Sequence, residues 1–175
     1  MRTLLTSLFL AGLLLVTRTG VADPVKLKLT PRTPEQMSAF YEARGFPPQM
    51  IELLSHQCFI TVGIHNTGKD IIWLDLANWR FTTADGKQLH RPHRDDWKQK
   101  WQAMGVPLAK QSTFRWTLLP EALDYQPDEA EGGNIILPRV KGPITLYAEF
   151  ASGADKRGPL IKVIHKNLRC AENPE

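Results

Sequence analysis

Residues 58–66 alternate between apolar and polar or small side chains more cleanly than any other part of the chain. As a β-strand, this segment would present one apolar face, made of Cys58, Ile60, Val62 and Ile64. The opposite face would carry Phe59, Thr61, Gly63 and His65. A turn sequence at 66–70 and a second apolar run at 71–76 follow, so the pattern predicts a β-hairpin and a β core.

Further short strands are predicted along the chain, at 25–29, 79–83, 113–118, 134–137, 144–150 and 160–170. Lysines on the first of these favour an edge strand. The strand at 113–118 would place Phe114, Trp116 and Leu118 inside. In the last strand the apolar residues change face, which predicts a bulge near Ile164 and His165. Seven or eight short strands without a repeat predict a mainly β protein, an antiparallel immunoglobulin-like β-sandwich.

Two helical segments interrupt this pattern. The first, at 33–55, begins with Thr33, Pro34 and Gln36, which together form a capping-box sequence. Its Met37, Phe40 and Met50 are expected to pack as core, in preference to forming a ligand or soft-metal surface. The second segment, at 88–110, is an insertion that a compact sandwich does not need, so function is best sought there.

The first 22 residues have the features of a secretory signal peptide. A positive residue, Arg2, precedes an apolar run at 4–16, and a polar stretch with small residues follows, with cleavage expected after Ala22. An uncleaved N-terminal anchor is the alternative. We therefore predict a single domain at 23–175, periplasmic or secreted, without stable membrane insertion after cleavage.

The net charge of the chain and its distribution argue against nucleic acid as a partner. The formal net charge is +4, and residues 1–22 hold two arginines and no acid, so the remaining chain is nearer neutrality. Basic residues are interleaved with acidic ones and do not form a patch.

The chain has two cysteines, Cys58 and Cys170, which lie at the start of the first strong strand and at the end of the last. In an exported protein such a pair predicts one structural disulfide. A thiol that binds metal or performs redox chemistry is the alternative, and the lack of a CxxC pair weighs against it.

The insertion combines aromatic and basic residues. Trp97 and Trp101 are four residues apart, on one face of a short helix, and Arg91 and Arg94 precede them. Tryptophan and arginine are enriched at interface hot spots, so these four residues are the predicted binding surface for an envelope protein or glycan. If the two tryptophans are buried instead, they dock the insertion, and the sequence leaves both alternatives open.

Metal binding is the second hypothesis. His90 and His93 have a spacing that lets two imidazoles reach one copper or zinc ion. Arg91 and Arg94 place positive charge beside them, which disfavours a cation. The acidic loop at 124–134 lacks the regular ligand spacing of an EF-hand and is predicted to be a solvated turn. No cofactor is therefore predicted.

Catalytic motifs are missing from the sequence: it has no GxSxG elbow, HExxH, phosphate loop or dinucleotide fingerprint. Ser112 and Ser152 lack a motif that would activate them. The third hypothesis, a small hydrolase, would have to use the crowded carboxylates Asp124, Asp128, Glu129 and Glu131. We therefore predict a non-catalytic binding or accessory module of the cell envelope, with metal binding as the alternative.

Overall fold

The structure, a computed structural model, describes residues 23–173, and within them the protein is mainly β. The strands are β1 (Val25–Arg32), β2 (Gln57–Asn66), β3 (Ile72–Asp75), β4 (Arg80–Thr83), β5 (Gln88–Leu89), β6 (Ala122–Tyr125), β7 (Ala130–Pro138), β8 (Ile144–Ser152) and β9 (Ile161–Leu168). The helices are α1 (Pro34–Glu42), α2 (Pro48–Ser55), α3 (Arg94–Ala103) and α4 (Leu108–Thr117). The signal peptide predicted for residues 1–22 lies outside the described residues.

The strands form two antiparallel sheets. A small sheet has the order β1-β2-β7, and a large sheet has the order β5-β4-β8-β3-β6, with β9 also paired to β8. The predicted antiparallel, mainly β fold is confirmed, and β1 is an edge strand as its lysines indicated. The immunoglobulin-like connection of the strands stays a prediction.

Strand β2 separates two hydrophobic cores, because its two faces carry different residues. Its apolar face, Cys58, Ile60, Val62 and Ile64, packs between the two sheets. Phe59 on the other face joins a second core, beneath the four helices. Burying side chains of this size contributes roughly 1.5–3 kcal/mol each. The molecule therefore has three layers, with helices on the outer face of the small sheet.

The hairpin predicted at 58–76 is wrong, because β2 and β3 belong to different sheets. At the corner between them, the buried Asn66 side chain donates to the carbonyl oxygens of Asp70 and Tyr125 and accepts from the Gly68 N–H. Alternation shows that each segment has one apolar face. It does not show whether the two faces meet side by side in one sheet or across a sandwich.

The strand predicted at 113–118 is also wrong, since these residues belong to α4 and its C-cap. Phe114 and Leu118 are four residues apart, so both face the same side of a helix, and both are buried. Trp116 lies between them in sequence and therefore points away, with 86% of its surface exposed. The spacing of Phe114 and Leu118 fits both a strand and a helix, and here the packing of Phe114 against the α3 tryptophans accompanies the helix.

Two smaller predictions concern the start of α1 and an irregularity in β9. The capping box of α1 is confirmed, with reciprocal bonds between Thr33 and Gln36. The bulge in β9 exists but lies slightly later than predicted, between His165 and Leu168, where Asn167 has a φ of 61°. This positive φ suits asparagine better than a branched residue.

The predicted disulfide is confirmed, as Cys58 and Cys170 are bonded with their Cα atoms 5.2 Å apart. It joins the start of β2 to the chain just after β9. Disulfides are typical of proteins that fold in oxidising compartments, which agrees with the predicted export. Between residues 23 and 173, no helix is long and apolar enough to cross a membrane.

Candidate functional site

The two tryptophans of the insertion are buried, so they cannot form the exposed contact surface predicted for them. Trp97 and Trp101 stack with their centroids 5.4 Å apart, and Phe114 of α4 packs edge-on against both rings. Their exposed fractions are 3% and 1%. The four-residue spacing placed both on one face as predicted, but that face covers the helical core. The sequence left open the alternative that the two tryptophans dock the insertion, and the structure has this arrangement.

Arg91 and Arg94 hold the base of the insertion in place. The guanidinium of Arg91 forms a two-point ion pair with Glu121, at 3.0 and 2.5 Å. Arg94 donates from its side chain to the carbonyl oxygen of Leu118 and from its backbone to Glu121. Burial is the main cause that lowers the pKa of Arg94 from its ordinary value, and the positive charge of Arg115 lowers this pKa further. Both arginines therefore have structural partners, and neither is a free surface charge.

The histidine pair of the metal hypothesis is used differently. His93 is the N-cap of α3, and its Nδ1 accepts from the Asp95 N–H at 3.1 Å, while Asp96 completes a capping box. His90 is exposed on the segment before it. Within residues 23–173, no group of three or more His, Cys, Asp or Glu side chains is arranged to hold a metal ion.

Two of the carboxylates considered for a hydrolase, Asp128 and Glu129, make local contacts in the turn between β6 and β7. Asp128, at a positive φ, pairs with His65 at 2.9 Å, and Glu129 accepts from the Gln126 N–H at 2.7 Å. Ser152 is buried and donates to the Pro159 carbonyl oxygen. Asp128 and Glu129 thus belong to a turn, whereas Asp124, Glu131 and Ser152 lie in the strands β6, β7 and β8.

An open groove that the sequence did not reveal lies between α1 and α4, over the outer face of the small sheet. Its volume is about 830 Å³. The aromatic and cationic residues that line it are Arg32, Phe40, Arg44 and Trp116. The uncharged polar lining residues are Gln36, Thr61, Thr113, Thr117 and Asn134. No acidic residue lines this space in the described part of the chain, so the groove carries net positive charge.

The floor of the groove is a fixed polar network. Arg32 donates from Nε to Thr61 Oγ1 at 3.0 Å, and Thr61 in turn donates to Asn134 Oδ1 at 2.9 Å. The three residues come from three adjacent strands, and β-pairing places Thr61 directly opposite Asn134. The terminal guanidinium nitrogens of Arg32 have no hydrogen-bond partner among residues 23–173. They are thus available to an acceptor on a ligand.

The walls of the groove combine aromatic rings with a second arginine. Arg44 lies over the Phe40 ring, 3.5 Å from its centroid, and donates to the Phe40 carbonyl oxygen. Trp116 stands exposed on the α4 side. The groove therefore offers apolar faces on both sides and positive charge on its floor and rim.

A hydrogen bond between the side chains of Tyr41 and Thr117 links α1 to α4. Tyr41 Oη and Thr117 Oγ1 are 2.9 Å apart, and the Tyr41 ring is wholly buried in the helical core. Burial raises the pKa of Tyr41 above its ordinary value, and it does the same for Tyr125 in the core between the sheets.

The raised pKa values predict that the protein loses stability at alkaline pH. The fold favours the neutral form of each buried tyrosine. The stabilisation from its burial is therefore complete below pH 10, where tyrosine is also neutral in the unfolded chain, and is lost as the pH rises above that value. Each of the two buried tyrosines should lower the free energy of unfolding by about 1.4 kcal/mol per pH unit above pH 10. Urea denaturation at several pH values should show this slope, and Tyr41→Phe should reduce it by about half. An unchanged slope would contradict the assignment to Tyr41.

Comparisons with known proteins do not assign this chain to a family. No protein-family model matches the chain, and no curated protein matches it either. A candidate lipoprotein (YcdA) of Bacillus subtilis aligns with 64% of this chain at 16% identity and a TM-score of 0.38, but the alignment covers only 30% of that chain. A candidate ApaA protein of Bordetella pertussis aligns with 80% of this chain and 86% of its own, at 14% identity and a TM-score of 0.37. Likeness at this level carries no function from those proteins to this one.

Proposed function

We propose that this protein is an exported, non-catalytic binding module that recognises an acidic segment of an envelope protein in the groove between α1 and α4. The observation that carries the proposal is Trp116, a large aromatic side chain that is 86% exposed at the rim of a cationic groove. Exposing an indole to this extent costs hydrophobic free energy that burial against a partner would recover.

The composition of the groove favours a protein over a glycan as the partner. Interface centres are enriched in aromatic residues, methionine and arginine, and they are depleted of lysine, aspartate and glutamate. The groove has Trp116, Phe40, Met37 and two arginines, and none of the depleted types. Positive charge without a lining acid calls for carboxylates on the partner, which would also speed association.

The two alternatives draw less support from the contacts. Metal binding through His90 and His93 would require breaking the cap that His93 makes at the start of α3. Hydrolysis would require the turn carboxylates to leave the contacts that they make between β6 and β7.

Photo-crosslinking in the cell of origin tests the proposal. A photoreactive phenylalanine analogue at position 116 should capture one protein, and the same analogue at position 164 should not. Ile164 is a matched control because it is 55% exposed on β9, outside the groove. Capture of a glycan at position 116, or of the same protein at both positions, would contradict the proposal.

Affinity measurements with the captured partner then give the energetic contribution of the groove. Trp116→Ala should weaken binding by about 2 kcal/mol, or roughly 30-fold, because a large aromatic contact is lost. The free energy of unfolding should change by less than about 0.5 kcal/mol, because the ring is exposed. Ile164→Ala should leave both quantities unchanged, as titration calorimetry and urea denaturation can establish.

A further inference from the structure

The outer face of the small sheet continues beyond the groove as a second open surface. Its volume is about 430 Å³, and residues of β1, β2 and β7 line it. These lining residues include Lys26, Lys28, Gly63, His65, Glu131 and Gly132. Gly132 also lines the groove, so the two spaces adjoin. We refer to this surface as the sheet strip.

One side of the sheet strip is a row of cations. Lys26, Lys28 and Arg32 are separated by even numbers of residues on β1, so they share one face of the strand. Both lysines are exposed, and neither forms an ion pair within residues 23–173. The row therefore continues the positive charge of the groove along β1.

Acidic groups lie on the opposite side of the sheet strip. Glu131 is on β7, two strands away from β1, which corresponds to roughly 10 Å at the usual separation of strands. Asp128, in the turn before β7, pairs with His65 at 2.9 Å. The strip is thus basic along β1 and acidic along β7, and this polarity would orient a charged ligand.

Gly63 forms the floor of the sheet strip, and the fold does not require a glycine there. Its φ is not positive, and an added Cβ would lie 3.8 Å from the Lys28 Cβ, an ordinary contact. Glycine weakens the interior of a strand, and it often marks a place where a ligand or another backbone approaches closely. Lysines on an edge strand can serve only to discourage strand pairing, but that role does not account for Gly63.

The spacing of the cations restricts the shape of the ligand. Residues on one face of a strand repeat about every 6.7 Å, so Lys26 and Arg32 are roughly 20 Å apart along β1. An extended peptide has the same repeat. Its acidic side chains would therefore match the row if they occupied every second position.

We propose that the sheet strip binds the acidic segment of the partner in an extended conformation, with acidic side chains at every second position facing Lys26, Lys28 and Arg32. The backbone of the segment lies over Gly63, and the intervening side chains point towards β7. This inference rests on the proposed function of the groove, because it continues the path of the same segment from Trp116 onto the sheet strip.

Titration of the purified protein with two synthetic twelve-residue peptides tests this arrangement. One peptide alternates glutamate and serine, and the other has the same composition with its glutamates in one block. Each extends to about 40 Å, twice the length of the cation row. The alternating peptide should bind about fivefold more tightly and should shift the backbone N–H resonance of Gly63.

The outcomes separate this proposal from that for the groove, because the indole N–H resonance of Trp116 reports on the groove. A peptide that shifts Trp116 but not Gly63 would overturn the sheet strip alone, and one that shifts neither would overturn both proposals. A shift of Gly63 without Trp116 would support the strip and contradict the groove. Equal binding of the two peptides, or tighter binding of linear polyphosphate of the same charge, would overturn the extended arrangement.

A pair of glycine variants tests whether the ligand lies on the floor. Gly63→Val fills the floor and should weaken binding of the alternating peptide at least about tenfold. Valine suits a strand, so the free energy of unfolding should not fall. Gly142→Val is the matched control, because its φ is not positive and no atom lies within 4 Å of the position of its Cβ. Equal affinities of these two variants would overturn the proposal.

A pair of lysine variants tests the cation row independently of the floor. Lys28→Gln should weaken binding of the alternating peptide about threefold, as expected for an exposed ion pair. Lys141→Gln removes the same charge from an exposed position outside the sheet strip and should leave the affinity unchanged. Equal effects would mean that the peptide responds only to net charge, which would also overturn the proposal.

Discussion

Replacing Trp101 with alanine is expected to lower the free energy of unfolding by about 3–5 kcal/mol. The indole is 1% exposed, stacks on Trp97 and meets the Phe114 ring at a centroid distance of 5.1 Å. Its removal leaves a cavity in the helical core and loosens the contact between α3 and α4. Because whole domains are stable by only about 5–15 kcal/mol, this loss is a large share of the total.

Urea denaturation followed by circular dichroism measures this effect. The matched control is Trp116→Ala, since Trp116 is the same residue type on the adjoining helix but is 86% exposed. It should change the free energy of unfolding by less than about 0.5 kcal/mol. A loss below about 1 kcal/mol for Trp101→Ala would show that the insertion is not docked through this ring.

Removing the disulfide by the double substitution Cys58→Ala and Cys170→Ala should cost about 4 kcal/mol. The bond closes a loop between residues 112 apart in sequence, and in the chain-entropy model a loop of this length contributes roughly 4–5 kcal/mol. It also anchors the chain end after β9 to the start of β2, the strand shared by both cores.

Reduced wild-type protein provides the control for this variant. Its denaturation midpoint should match that of the double variant, because both lack the crosslink and keep the same strands. Thiol labelling of the denatured, unreduced protein should find no reactive cysteine. Two reactive thiols, or a double variant as stable as the oxidised parent, would contradict the structural role of the bond.

The local pattern of the chain was sufficient to predict most elements and the disulfide. The alternation of β2 and β8 is confirmed, since alternate residues of each strand, from Cys58 to Ile64 and from Ile144 to Phe150, lie in the core between the sheets. The capping box at Thr33 and the helix that carries Trp97 and Trp101 were equally predictable. These features depend on neighbours two to four residues away, and such neighbours are explicit in a sequence.

The position of the exposed aromatic surface depends on how the helices pack. The predicted interface used Trp97 and Trp101, whereas the exposed tryptophan is Trp116, which the sequence placed in a strand core. A helical face with two tryptophans can cover a core or meet a partner, and only the position of α4 distinguishes these cases. The four-residue spacing of Phe114 and Leu118 was a local signal for a helix there.

The β core, the pairing of the two cysteines and the helical character of both the flank and the insertion could be predicted from the sequence. The structure was needed to show that β2 and β3 lie in different sheets and that one groove is lined by Arg32, Thr61, Asn134 and Trp116. These four residues come from four elements that are distant in sequence. Their proximity results from which apolar faces pack together, and a one-dimensional pattern shows that such faces exist but not which of them are partners.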